Sequence, residues 1–157
     1  MTPTLATSSA VSVAWLSRWG RSRSAPSAPI LVWDPEQSGA ITSGRQLFGD
    51  ATWWMFFRDG YEALDALEDD RNGWLYGAEL AGLAIWRDAD GDALSGPREV
   101  VAFECLGIAA LAARPDTIDG LAPGAREGLL LGDGRRLPTW DWVAEPLPET
   151  GSQDARP

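Results

Sequence analysis

The chain has 157 residues, with 23 carboxylates against 13 basic residues, no histidine and one cysteine. Its formal charge of −10 argues against nucleic acid or anionic lipid as a partner. The missing histidine removes Ser-His and Cys-His nucleophile systems and the commonest zinc and iron ligand, and a lone Cys105 removes any intrachain disulfide.

Residues 1–29 hold no acid, three arginines and many Ser, Ala, Pro and Thr, which reads as a disordered tail with a short helix or strand at 11–19. Arg18 follows the weakly apolar run 10–16 instead of preceding it, so no signal peptide is read there. Residues 30–33, Ile-Leu-Val-Trp, read as a strand or extended entry into the first of three acidic loops.

Loop 34–45 carries Asp34, Glu36 and Ser38 at positions 1, 3 and 5, Gly39 at position 6 and Ile41 at position 8. Its position 12 is Arg45, and only Gln46, one place later, offers an oxygen. Loop 68–79 carries Glu68, Asp70 and Asn72 at positions 1, 3 and 5, Gly73 at 6, the carbonyl of Trp74 at 7, Leu75 at 8 and Glu79 at 12. Loop 88–99 carries Asp88, Asp90 and Asp92 at positions 1, 3 and 5, the carbonyl of Leu94 at 7 and Glu99 at 12.

This spacing has a chemical reason. A hard cation takes six to eight oxygens, and a tight loop supplies them from alternate side chains, one carbonyl and a bidentate terminal carboxylate. Nine of the 23 acids fall on these positions, so the spacing predicts Ca2+ as the bound ion. Defects temper the affinity. Glu68 stands where a shorter Asp is usual, and Ala93 occupies position 6, where a positive φ costs a non-glycine about 1 kcal/mol. Loops 88–99 and 68–79 are the expected sites, in the micromolar to millimolar range, and loop 34–45 is expected to be structural or weak.

Between and beyond the loops, apolar residues at 61, 64 and 67 predict a helix entering the second loop. Those at 80, 83, 84 and 86 predict a helix shared by the second and third loops, and Pro97 opens another that Gly107 ends. Residues 108–113 read as a strand or a frayed helix. Residues 128–143 read as a hairpin turning at Asp133-Gly134, with Pro138 placing the second strand at an edge. The expected fold is mainly α: an EF-hand-like helix-loop-helix-loop-helix core with a short C-terminal β-hairpin. One domain spans 30–144, and 145–157 is a Pro-rich disordered tail.

Residues 31 to about 113, with the hairpin to 143, resemble bacterial EF-hand-containing proteins. The residues that carry the resemblance are Leu31-Val32-x-Asp34 with Gly39-x-Ile41, Leu47-Phe48-Gly49, Gly60-Tyr61-Glu62-Ala63-Leu64, Asn72-Gly73-Trp74-Leu75 and Trp86-Arg87-Asp88-Ala89-Asp90-Gly91-Asp92. The resemblance implies calcium binding, and an extracytoplasmic setting for some members. Dockerins share the loop chemistry, but their equally spaced loop-plus-helix repeat is absent.

Other readings have their own residues. Nine tryptophans include Trp53 and Trp54 beside Phe56 and Phe57, a cluster read mainly as core and alternatively as a platform for a sugar or a protein partner. On that alternative the chain is a protein- or carbohydrate-binding module whose calcium loops have decayed. Trp140 and Trp142 are read as sharing one face of one strand, and Cys105 as a buried structural thiol. Without histidine only paired carboxylates could catalyse, and the regular spacing makes them ligands instead, so the chain is not expected to be an enzyme. No apolar run is long enough to span a membrane.

Overall fold

The structure, a computed structural model, describes residues 14–15, 29–50, 52–119 and 122–143. The expected tails, 1–29 and 145–157, otherwise lie outside the described residues. Two antiparallel sheets carry the domain. In the first, β2 (Ile30–Trp33) pairs with the central β4 (Leu83–Trp86), which pairs with β5 (Val100–Ala102). In the second, β3 (Trp74–Tyr76) pairs with β6 (Ile108–Ala112), and β6 with the long β8 (Ala122–Leu131). The N-terminal part of β8 also pairs with β7 (Thr117–Asp119), and β9 (Arg136–Trp140) pairs along it. A two-residue parallel pair joins β1 (Ala14–Trp15) to β10 (Trp142–Val143). Two short helices complete the described residues, α1 (Gly60–Asp65) and α2 (Phe103–Leu106).

The fold is mainly β, and the expected mainly-α, helix-loop-helix-loop-helix core is corrected. The region read as a shared helix, 78–86, is a short 3-10 turn over Gly77–Leu80 followed by β4. Its apolar residues mimic a helical period because β4 is a central strand covered on both faces, and such strands lose the alternation that marks them. Gly82 breaks the segment at φ 88°, and a Cβ there would meet the Trp33 ring at 2.8 Å. The segment read as a helix after Pro97 is mostly β5, where Val100 and Val101 favour a strand, with α2 only at its end. Gly107 closes α2 in the left-handed conformation at φ 64°. Of the helix read at 61–67, α1 alone forms, capped by Asp59, whose carboxylate accepts the Glu62 N–H at 2.9 Å.

Residues 108–112 are a strand, and β8 and β9 join through a turn in which Gly134 N–H donates to Leu131 O at 2.9 Å. Trp140 and Trp142 do not share a strand: β9 ends at Trp140, and the buried Asp141 separates it from β10.

The main core gathers Leu31, Phe48, Tyr61, Leu64, Leu75, Leu83, Phe103 and Leu111. Alternation along β2 and β4 sends Val32, Ala84 and Trp86 to the opposite face, where they meet Leu47 in a smaller cluster lined by Ile41 and Val100. The first sheet is therefore a wall between two apolar layers, and loops 34–45 and 88–99 meet over the smaller one. One further expectation fails. Cys105 is exposed, at the solvent side of α2. The aromatic run divides: Trp53 and Phe57 pack on the core, while Trp54, Met55 and Phe56 stand 75%, 54% and 95% exposed.

Candidate metal centre

Each acidic loop folds around the carboxylate at its first position. In loop 88–99, Asp88 Oδ1 accepts the N–H of Gly91 at 2.8 Å and of Asp92 at 3.1 Å, and Oδ2 accepts that of Ala93 at 2.9 Å. In loop 34–45, Asp34 Oδ1 accepts from Ser38 N at 2.9 Å and Ser38 Oγ at 2.8 Å, and Oδ2 from Gly39 N at 2.8 Å. In loop 68–79, Glu68 Oε1 accepts from Gly73 N at 2.8 Å, so the longer side chain does fold back to the same donor. Position 3 then accepts from the N–H of position 5, and position 5 from that of position 7. Asp90 bonds Asp92 and Asp92 bonds Leu94, just as Asp70 bonds Asn72 and Asn72 bonds Trp74. The backbone at position 6 is left-handed in all three: Gly39 at φ 68°, Gly73 at 87° and Ala93 at 61°.

The ends of the loops differ. Glu99 Oε1 accepts from Ala89 N at 2.9 Å and Oε2 from Gly96 N at 2.8 Å, the N–H groups of positions 2 and 9. Glu79 does the same, to Asp69 N at 2.7 Å and Tyr76 N at 3.1 Å. In loop 34–45 the residue bonded to the position-9 N–H is Gln46, whose Oε1 accepts from Thr42 N at 2.9 Å. Loop 34–45 thus carries one extra residue and ends in a neutral amide. Its Nε2 donates to Trp33 O at 3.2 Å and Ala40 O at 3.4 Å. Of its other expected ligands, Glu36 is exposed and the Ser38 hydroxyl is spent on Asp34.

Among the described residues, Asp88, Asp90 and Glu99 bring one carboxylate oxygen each within 4.8 Å of one another. Asp92 contributes to the loop's wiring instead of to this group. The ligand oxygens of loop 68–79 are held by neighbours. The Tyr76 hydroxyl donates to Asp70 Oδ2 at 2.6 Å and the Asn72 amide to Asp70 Oδ1, while Arg114 meets Glu68 Oε2 at 3.2 Å. The Trp74 N–H donates to Asn72 Oδ1 at 2.7 Å. Gly73 O accepts the Ala113 N–H at 2.9 Å, so ladder alternation turns the polar groups of Trp74 away from β6.

Electrostatics follow this wiring. The N–H groups of Gly96 and Ala89 hold the Glu99 carboxyl below its usual range. The Tyr76 hydroxyl does so for Asp70, and the phenol is itself pushed up by that carboxylate. Burial pushes Asp34 up, but the N–H groups of Gly39 and Ser38 and the Ser38 hydroxyl more than offset it, leaving a carboxyl below the usual range.

Loops 34–45 and 88–99 are paired through their position-8 residues: Ile41 N–H donates to Ser95 Oγ at 2.7 Å. Leu75, at position 8 of loop 68–79, is fully buried and pairs with Leu111 in the second sheet. The roles of Ser95 and Arg114 carried no mark in the sequence, because each is set by a tertiary contact, and that of Tyr76 is a side-chain contact within its own loop that the ligand spacing does not encode. Gln46 did carry one, as the only oxygen near the end of its loop.

Among the described residues no helix is long and apolar enough to cross a membrane. An 87-residue stretch is 34% identical to the iron-regulated protein FrpA of Neisseria meningitidis serogroup C, covering 52% of this chain and 8% of that one. The chain therefore spans less than a tenth of that relative's length. The SPM domain matches residues 18–125, a span that takes in all three acidic loops and both sheets' first strands. With well over half its length matched, the chain belongs to the SPM domain family.

Proposed function

We propose that this domain binds calcium ions through its acidic loops, with loop 88–99 the principal site and loop 68–79 a weaker one. The observation that carries the reading is the convergence of Asp88, Asp90 and Glu99 oxygens within 4.8 Å, at positions 1, 3 and 12 of a loop spaced for a hard cation. The Asp92 carboxylate and the Leu94 carbonyl lie at positions 5 and 7 of the same loop. Such a loop, exposed and rich in carboxylates, suits Ca2+ better than Mg2+, which is smaller and gives up its water reluctantly. Loop 68–79 has the same ligand types but must first release Asp70 from Tyr76 and Glu68 from Arg114. Loop 34–45 ends in an amide and is left out of the reading. Binding to the folded form stabilises it by mass action.

Isothermal calorimetry of calcium into chelator-stripped protein tests this, with Asp88→Ala plus Glu99→Gln alongside. Saturable heat that loses its tighter component in the variant is expected. No heat, with no calcium-dependent rise in Tm, would sink the reading. It would favour a module that binds a protein or carbohydrate through the exposed Trp54–Phe56 apex, its loops purely structural.

A further inference from the structure

Glu68 is an unusual carboxylate for a surface loop. Its side chain is 1% exposed, although Asp69 and Asp70, which follow it, are open to water. A buried anion is costly unless it is paired and hydrogen-bonded. Two partners answer for it here. Gly73 N–H donates to Oε1 at 2.8 Å, and Arg114 Nη2 donates to Oε2 at 3.2 Å.

Arg114 is built into this position. The N–H of Ala113, the residue before it, bonds Gly73 O at 2.9 Å, where β6 runs out beside β3. The Arg114 side chain then lies along the turn at position 6, its Cδ and Nη1 3.8 Å from the place a Cβ on Gly73 would take. Its Nε donates to Asp65 Oδ1 at 2.8 Å, at the end of α1. One guanidinium thus fastens α1, the first position of the loop and the exit of β6, and its positive charge is permanent. No such cation serves the other two loops. Among the described residues, no basic side chain is paired with a carboxylate of loop 88–99 or loop 34–45. Asp34 and Asp88 are met by N–H and hydroxyl donors.

We propose that Arg114 is a built-in counter-ion of loop 68–79: the guanidinium takes the place on Glu68 that a divalent cation takes in an open loop, and it sets how weakly this loop binds calcium. This rests on the reading of the acidic loops as calcium sites. Two effects add. An ion at position 1 must displace Arg114 from a buried oxygen, and a guanidinium that stays beside the loop repels it. Like charges a few ångströms apart near a surface change affinity by about 10- to 100-fold. Loop 88–99, with no guanidinium, fills first, and loop 68–79 keeps its shape in chelator. Arg114 touches no metal; it acts through Glu68.

The test isolates loop 68–79 in the Asp88→Ala plus Glu99→Gln background of the full chain. Calorimetry follows calcium there with Arg114 kept, and with Arg114→Gln or Arg114→Lys. Arg114→Gln is expected to bind calcium about 10- to 100-fold more tightly, and adding Asp70→Ala to remove that gain. Arg114→Lys, which keeps the charge but not the fork, is expected to stay within about 3-fold of Arg114. A merely structural arginine would lower Tm in chelator in both variants and leave calcium affinity alone. A folded Arg114→Gln that binds no more tightly overturns the proposal, and so does equal tightening in Arg114→Lys; saturable heat in the unmodified chain then leaves the calcium reading standing. No heat in the unmodified chain and none in Arg114→Gln overturns both. Heat in Arg114→Gln alone upholds the role of Arg114 and overturns loop 88–99 as the principal site. Should Arg114→Gln unfold in chelator, near-UV circular dichroism decides. Recovery of the native signal in millimolar calcium supports one cation replacing another, and no recovery overturns it.

Discussion

Loops 34–45 and 88–99 lie over the same face of the same sheet, touch through Ile41 and Ser95, and fold around a first-position aspartate in the same way. They differ in what closes them. Loop 34–45 is closed from within: Asp34 is buried and accepts three donors, and the Gln46 amide both accepts from Thr42 and donates to Trp33. Loop 88–99 is closed by an anion, Glu99, that leaves a knot of negative oxygens at the surface. One pattern of turn chemistry therefore yields a self-satisfied structural corner and a loop whose carboxylates converge at the surface. The terminal residue, amide or carboxylate, marks the difference most plainly.

The sharpest way to break this comparison is to remove each first-position aspartate. Asp34→Ala removes a buried carboxylate together with its three hydrogen bonds to the loop and is expected to cost about 2–4 kcal/mol in urea unfolding, with or without calcium. Asp88→Ala exposes its N–H groups to water and relieves repulsion, so in chelator it should stay within about 1 kcal/mol of wild type. Equal losses in chelator would mean that both loops are structural corners.

A third carboxylate sharpens what protects Asp34. Asp141 is just as buried but among the described residues has a single donor, the Gly60 N–H at 2.9 Å. Burial, with Asp59 and Asp50 nearby, pushes its carboxyl up to about 7. A folded pKa raised above the unfolded value of about 3.9 gives stability that is full below pH 4 and lost as pH rises through 7. Asp34 runs the other way, with stability present at neutral pH and lost in acid as its lowered pKa is crossed. Asp141→Asn is therefore expected to gain on the order of 2 kcal/mol over wild type between pH 5 and 8. A pH-independent difference would refute the assignment.

The smallest effect concerns position 6. Ala93 sits at φ 61° and Gly39 at φ 68° with open space around it, so the two differ only in backbone strain. Ala93→Gly should gain, and Gly39→Ala lose, about 1 kcal/mol. Thermal melts in chelator read both.

The loops were legible in the sequence because their chemistry is local. Asp34 reaches only to Ser38 and Gly39, and Asp88 only as far as Ala93, so spacing alone encodes the bonds. The flanking elements were misread because their pattern depends on what covers them. Leu83, Ala84 and Trp86 look helical in spacing, yet they alternate between the two apolar layers that sandwich β4. The resemblance to EF-hand proteins reinforced the error, since the same loop chemistry here closes onto strands. Cys105 was read as buried from its apolar neighbours between Val100 and Leu106, yet the single turn of α2 buries Phe103 and leaves the thiol exposed.

Loop 88–99 leaves β4 and re-enters the sheet as β5, and its two ends are fastened by Arg87 N–H on Glu99 O at 2.8 Å. Its flanks are laces of one fabric, not two rods meeting at a joint. An ion seated there has no lever arm: it cannot swing one element against another without tearing the ladder. What occupancy can alter is the stiffness of the loop itself and, through Ser95 and Ile41, of the corner beside it. In a longer chain a domain built this way would act as a link of fixed length, and on the calcium reading proposed above its surface would tighten as the ion binds.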